Sequence, residues 1–306
     1  MDERTARALV SKEGRELLQT GLVARTWGNF SARIPGGQFV ITPSGLDYAQ
    51  MGPEDLVAVD IESGEAFGSR RPSSEKNIHR FAYGLFPEIE YIIHTHQTAA
   101  TAIGLTGMES MELTERERAE LGGVARAEYA LSGSMELAQS IRAAMEADGA
   151  KVILMPHHGA LILGRSREEA FRRAMVLESV CSRSLKGQPA ADDGQSPDGN
   201  LLRSPAALAW AALGEPLPPL LDDFAQMFGG ALPVLEAPDG DTSAVVPGRG
   251  IALGTGETPV KALLAEKNLI AALHCRALDI SGALSDENAR MQHADYSERY
   301  SLRKEG

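Results

Sequence analysis

Glu90-Tyr91-Ile92-Ile93-His94-Thr95-His96 is a short apolar run that ends in two histidines two residues apart. Its β-branched and aromatic residues read as a buried strand. A strand turns successive side chains to opposite faces, so His94 and His96 share one face while Thr95 takes the other. Such a pair can hold one metal ion, although a His-x-His at a strand end is, taken alone, more often incidental. Its neighbours add weight. Pro72-Ser73-Ser74-Glu75 lies just upstream, and Met155-Pro156-His157-His158-Gly159 supplies a further imidazole at another strand end. Three imidazoles and a carboxylate make a zinc shell.

Working outward, residues 5–20 place Ala6, Leu9, Val10, Leu17 and Leu18 on a helical stripe that Gly21 stops. Residues 26–33 and 38–42, joined by Pro35-Gly36-Gly37, predict a hairpin. Residues 56–60 and 65–67 predict two more short strands. Ser73 and Ser74 suit a helix N-cap ahead of the stripe Ile78, Phe81, Ala82, Leu85 and Phe86. Free N–H groups at such a start also bind phosphate oxygens. Past the histidines, residues 97–103 predict a buried helix and residues 112–120 a solvated one. Residues 135–145 predict an amphipathic helix, 152–155 and 160–163 strands, and 166–185 a long helix. His157 and His79 read as packing or supporting residues rather than ligands. Strands alternate with helices, so the class is α/β or α+β, and the short turns between the early strands imply an α/β core with a mainly antiparallel sheet flanked by helices.

The chain of 306 residues is long enough for one large domain or a domain plus a smaller partner. Its 43% hydrophobic and 24% charged residues exclude a disordered protein. A net charge of -12 argues against a nucleic-acid or anionic-membrane surface, while leaving room for a local phosphate pocket. With only Cys181 and Cys275, far apart, a disulfide framework and a thiolate metal site are both excluded, and a reducing cytoplasm fits. No run of about 18 apolar residues appears, and residues 1–4 lead into an amphipathic stretch, so neither a membrane span nor export is expected.

Residues 187–204 are polar and rich in Gly, Pro and Asp, which predicts a linker between a domain at 1–186 and a tail at 205–306. Within the tail, Val245-Val246-Pro247-Gly248-Arg249-Gly250-Ile251 echoes Leu154-Met155-Pro156-His157-His158-Gly159-Ala160. The helical segment around Cys275 likewise echoes the one around Cys181. The tail therefore reads as a partial, degenerate repeat of the first domain. Arg249 stands where His158 stands, and a guanidinium does not ligate a metal. Any metal site belongs to the first half.

Gly28-Asn29-Phe30-Ser31-Ala32-Arg33, Thr42-Pro43-Ser44-Gly45, Pro72-Ser73-Ser74-Glu75, His94-Thr95-His96 and His157-His158-Gly159, in that order and spacing, resemble the class II aldolase/adducin family over roughly residues 5–186. The pattern is most similar to members that act on L-fuculose 1-phosphate. The resemblance implies a three-layer α/β fold, a homotetramer, and a zinc ion, or another divalent transition metal, held by His94, His96, His158 and, at rest, Glu75. It implies that Gly28, Asn29, Ser44, Gly45, Ser73 and Ser74 bind the substrate phosphate. The implied reaction is reversible cleavage of a ketose 1-phosphate into dihydroxyacetone phosphate and an aldehyde, with Glu75 as the proton-transferring base. Family aldolases also use a tyrosine as acid, for which Tyr129, Tyr296 and Tyr300 are candidates without a motif. Sugar-phosphate 4-epimerases, which carry Asp where Glu75 stands, sugar-acid phosphate decarboxylases and adducin-like binding proteins share the resemblance. The small phosphorylated sugar is the expected partner.

Overall fold

The structure is a computed structural model that describes residues 1–23, 26–190, 200–256 and 258–300, with the side chains of 110, 299 and 300 excepted. The chain divides into two units, Met1–Ser184 and Leu185–Gly306.

In the first unit, helix α1 (Glu3–Thr20) starts where the Asp2 carboxylate accepts the Thr5 N–H at 2.9 Å. Strands β1 (Asn29–Ile34) and β2 (Gln38–Ile41) form the expected hairpin, followed by β3 (Val57–Asp60) and β4 (Ala66–Phe67). Helix α2 (Lys76–Leu85), strand β5 (Tyr91–Thr95) and helix α3 (Thr98–Thr106) come next. Helix α4 (Glu115–Leu121) opens on a capping box in which Thr114 and Glu117 bond reciprocally. Strand β6 (Val124–Arg126), helix α5 (Met135–Asp148), strands β7 (Val152–Met155) and β8 (Gly159–Gly164) and helix α6 (Arg167–Ser184) complete the unit.

These eight strands form one sheet in the order β4-β3-β2-β1-β5-β8-β7-β6. Every neighbouring pair is antiparallel except β6 with β7. Strand β5, wholly buried, sits between β1 and β8, so its histidine end lies at the middle of the sheet. Helices α2 and α5 cover one face, where Ile78, Ala82, Leu137 and Ile141 join Phe39, Ile92, Ile153 and Leu161 in one buried cluster. Helices α1, α3 and α6 pack on the other face. Because Ile92 faces α2 and α5, period-two alternation sends His94 to that same side.

One expectation needs correction here, and one strand adds to those expected. Neither Ser73 nor Ser74 caps α2: Glu75 occupies the N-cap position with no side-chain cap bond, and the Ser73 hydroxyl accepts the Glu75 N–H at 3.2 Å. Strand β6 was not expected, because three residues are too few to show a period.

In the second unit, β9 (Leu201–Leu202) lies inside the stretch expected to be a linker, of which residues 191–199 fall outside the described residues. Two apolar residues among polar ones carry no readable pattern, yet they pair with a neighbouring strand. Helix α7 (Pro205–Ala211) is capped by Ser204, and helix α8 (Asp222–Phe228) follows. Strands β10 (Ser243–Val246) and β11 (Gly250–Leu253) form a hairpin, then come helices α9 (Thr258–Ala277) and α10 (Asp286–Asp295). The small sheet runs β10-β11-β9. Among the described residues no helix is long and apolar enough to cross a membrane.

Candidate active site

The end of β5, the turn between β7 and β8, and the start of α2 meet on one side of the sheet. The β7–β8 turn places His157 in the left-handed region, φ 66°, and the His158 N–H closes the turn on the Met155 carbonyl at 3.0 Å. A non-glycine residue in that conformation is strained and must be held by its surroundings. Here it aims the next side chain, His158, back over β5. The result is a trio of buried imidazoles: His94 Nε2 lies 3.1 Å from His158 Nε2 and 3.1 Å from His96 Nε2.

Glu75 closes this set. Its Oε2 lies 3.2 Å from His94 Nε2 and its Oε1 3.1 Å from His158 Nε2. Oε2 also accepts from Asn29 Nδ2 at 2.8 Å, and Oε1 from the Ser132 hydroxyl at 3.3 Å. Burial by itself would raise the Glu75 pKa, but His158 and His94 beside it hold the carboxyl well below the usual range.

The donor set fits a tetrahedral cation. The Ala160 carbonyl lies 3.0 Å from His94 Nδ1, which therefore carries the proton and leaves an Nε2 lone pair facing the other two imidazoles. Three such nitrogens at 2.0–2.1 Å from zinc would stand about 3.3–3.4 Å from one another. The two separations from His94 Nε2, 3.1 Å each, are close to that, and all three nitrogens lie within 4.8 Å of one another. Past His96 the strand end is strapped down from the opposite face: Gln97 Nε2 donates to the Ala174 carbonyl at 3.1 Å, and the Glu178 carboxylate accepts the Ala99 and Ala100 N–H groups.

The sequence profile described as "Class II Aldolase and Adducin N-terminal domain" matches residues 8–185. The chain belongs to the class II aldolase and adducin family. It is 35% identical over 168 residues to a 5-methylthioribulose-1-phosphate/5-deoxyribulose-1-phosphate aldolase of Rhodospirillum rubrum, covering 54% of this chain and 74% of that one. It is 31% identical over 177 residues to an L-ribulose-5-phosphate 4-epimerase of Salmonella paratyphi C, covering 54% and 77%. Among solved structures, an L-fuculose 1-phosphate aldolase superposes with a TM-score of 0.54 at 32% identity, covering 58% of this chain and 84% of that one. Class II aldolases depend on a divalent metal, and the imidazole trio is where this member of the family could hold one.

The residues expected to bind phosphate gather around the same centre. Gly28 adopts φ 86° with its backbone against β5, where a Cβ would stand 2.6 Å from the His94 carbonyl oxygen. The loops holding Ser44 and Gly45 and holding Ser73 and Ser74 are joined by a bridge between Pro43 and Pro72. Two main-chain N–H groups of these loops are used in that junction: Ser44 N–H donates to the Arg71 carbonyl and Ser73 N–H to the Thr42 carbonyl. Those two N–H groups are therefore engaged within the protein. The Asn29 amide is likewise engaged, donating to Glu75 and lying at His79 Nε2 through its Oδ1.

Sequence reasoning missed Ser132, whose turn before α5 lies over Ser74, so that a Cβ on Gly133 would be 3.4 Å from the Ser74 hydroxyl. The only signal was a Ser-Gly-Ser turn ahead of a helix. Of the three tyrosines, Tyr129 packs edge-on to the His157 ring at 4.6 Å. Tyr296 belongs to the second unit, and the Tyr300 side chain lies outside the described residues.

Proposed function

We propose that this chain is a zinc-dependent aldolase that reversibly cleaves a ketose 1-phosphate into dihydroxyacetone phosphate and an aldehyde. The observation that carries the reading is Glu75: a buried carboxylate within 3.2 Å of two imidazoles of the metal trio, and a glutamate rather than an aspartate. A zinc ion held by His94, His96 and His158, with Glu75 at rest, supplies a Lewis acid for the ketone oxygen.

The chain's own residues do the rest. Gly28, Asn29, Ser44, Gly45, Ser73 and Ser74, on loops that converge beside Glu75, anchor the phosphate through hydroxyl groups, the second N–H of the Asn29 amide and the remaining main-chain donors. In the synthetic direction Glu75 takes the proton from the hydroxymethyl carbon of dihydroxyacetone phosphate, and in cleavage it returns that proton to the same carbon. Tyr129 donates a proton to the aldehyde oxygen as the carbon–carbon bond forms and accepts it back when the bond breaks. Its ring, between β6 and α5, packs against that of His157 in the turn that carries His158.

Residues 1–186 serve as the catalytic domain, 187–204 as a connection, and 205–306 as a degenerate copy of its second half. Parallel local geometry supports the copy. Gly248, φ 63°, stands where His157 stands at φ 66°, and the Arg249 N–H closes on the Val246 carbonyl at 2.9 Å as His158 does on Met155. A Cβ on Gly250 would meet the Leu202 carbonyl oxygen at 2.2 Å, as one on Gly159 would meet that of Thr95 at 2.1 Å. In this matching Leu201, Arg203 and Arg249 replace His94, His96 and His158, so the copy has no metal-binding role. The enzyme works in the cytoplasm as a homotetramer.

A screen of phosphorylated ketoses for release of dihydroxyacetone phosphate tests the reading. Release from a ketose 1-phosphate is expected. Interconversion of pentulose 5-phosphates without release would favour the 4-epimerase, loss of carbon dioxide from a sugar-acid phosphate the decarboxylase, and no turnover with no bound metal an adducin-like binding role.

A further inference from the structure

The first strand and α2 face each other through a line of buried polar side chains, of which the proposed reaction uses Glu75 and Asn29 and leaves Ser31, His79 and Tyr83 without a role. From the N-cap of α2 along the helix, Glu75, His79 and Tyr83 recur every four residues, and on β1, Asn29 and Ser31 alternate. Four helical residues advance about 6.0 Å and two strand residues about 6.6 Å, so the two rows stay in step. The contacts run from one row to the other. Tyr83 OH lies 2.8 Å from Ser31 Oγ, Ser31 Oγ lies 2.7 Å from His79 Nδ1, His79 Nε2 lies 2.5 Å from Asn29 Oδ1, and Asn29 Nδ2 lies 2.8 Å from Glu75 Oε2. Ser31 and His79 are wholly inaccessible to solvent, and Tyr83 and Asn29 nearly so.

One end of the row fixes the direction of every bond in it. An ionised carboxylate only accepts, so Asn29 presents its NH2 to Glu75 and its carbonyl to His79. His79 must then carry its proton on Nε2, which leaves Nδ1 to accept from the Ser31 hydroxyl, and Ser31 in turn accepts from Tyr83. Burial, together with repulsion from His94, lowers the His79 pKa to about 3, which keeps it neutral and limits it to that single donor.

We infer that His79 is a positioning residue: by bonding the Asn29 carbonyl it holds that amide in the one orientation that donates to Glu75 Oε2, and so fixes the carboxylate against the imidazole trio. The inference rests on the reading of Glu75 and the trio as one metal centre, and on nothing about the sugar. Without His79 the amide has no fixed sense, and a flipped Asn29 would turn an oxygen towards the carboxylate. Outer partners of this kind typically govern metal affinity or activity by about 10- to 100-fold.

Two measurements without substrate test it. Nitrogen-15 chemical shifts of histidine-labelled protein, zinc-loaded and zinc-free, should show His79 protonated on Nε2 and unchanged between pH 5 and 8. Protonation on Nδ1, or titration in that range, would overturn the polarity and with it the inference. Chelator competition should show zinc bound about tenfold more weakly by His79→Phe and within about threefold of wild type by His79→Gln, whose amide can still donate to Asn29. In an Asn29→Ala background, His79→Phe should cause no further loss. Equal affinities for wild type and His79→Phe, or losses that multiply in the double variant, would refute action through Asn29. If His79→Phe does not fold, the tautomer and the match of His79→Gln to wild type decide the matter. Failure to cleave any ketose phosphate would leave both measurements standing.

Discussion

Gly159→Ala should dismantle the candidate metal centre although it removes no ligand. Gly159 begins β8, which pairs with β5 through Ala160 and Thr95. A Cβ built on Gly159 would lie 2.1 Å from the Thr95 carbonyl oxygen and 3.2 Å from the His96 Cα. Since carbon and oxygen do not approach closer than about 3.0 Å without a bond, the two strands must separate by about 1 Å at the point between His96 and His158. Overpacking of this kind costs about 1–3 kcal/mol. In a unit of this size that lowers the melting temperature by roughly 2–12 °C. The effect on metal should be larger, because His94 Nε2 stands 3.1 Å from the nitrogens of both His96 and His158 and a metal tolerates errors of about 0.2 Å in its ligand distances. Elemental analysis of the purified variant, with thermal unfolding followed by circular dichroism, checks both parts. A folded variant with stoichiometric metal and the wild-type melting temperature would refute the close approach of β5 and β8 on which the site depends.

His96→Ala should leave a folded protein without bound metal, read by the same elemental analysis. Tyr129→Phe should lower turnover by roughly 10²–10⁴ with metal content unchanged, the range expected on losing a general acid; unchanged turnover would remove Tyr129 from that role. The pH dependence of stability carries a further expectation. The folded His79 pKa is about 3 against about 6.5 when exposed, so between those values the unfolded chain binds a proton that the folded chain excludes. Stability of the metal-free protein should therefore fall as pH drops below 6.5, with His79 contributing up to ~1.4 kcal/mol per pH unit. Glu75, whose folded pKa is depressed, adds a loss in the same direction at pH below about 4.5. Denaturant unfolding at several pH values should show a shallower fall in His79→Gln, and an identical slope would contradict the assignment.

The parts of the fold legible in the sequence were those with a long enough period. Helices α1, α5 and α6 and strands β1, β5 and β8 carry apolar stripes over five or more residues, and their positions agree with the stripes to within a few residues. Strands β6 and β9, with three and two residues, offer no period, and α8 begins on Asp222 and Asp223, which are buried where their charge suggests a surface turn. At the candidate site, His94 and His96 were readable because strand alternation is a local rule. Bringing Glu75 and His158 to them depends on the sheet order, which the family pattern implied and composition did not. The polar row of Asn29, Ser31, His79 and Tyr83 was written in the sequence at spacings of two and four, but no local rule says that those two rows face each other. His79, expected to be a packing or supporting residue rather than a ligand, lies at the centre of that row. Ser132 reached Glu75 from a turn whose sequence signals only the start of α5.

The central claim is that Glu75, set beside three imidazoles, carries the proton of a retro-aldol reaction. A class II aldolase of this kind should exchange one hydroxymethyl proton of dihydroxyacetone phosphate with solvent deuterium when no aldehyde is present, and proton NMR in deuterium oxide reads that exchange directly. The zinc-loaded protein should wash out one proton of the pair. Glu75→Gln, purified with stoichiometric zinc, should lose the exchange by a factor on the order of 10²–10⁴. Exchange by Glu75→Gln at the wild-type rate would show that another group is the base, and its absence from the zinc-loaded wild type would show that the chain is not an aldolase acting on dihydroxyacetone phosphate.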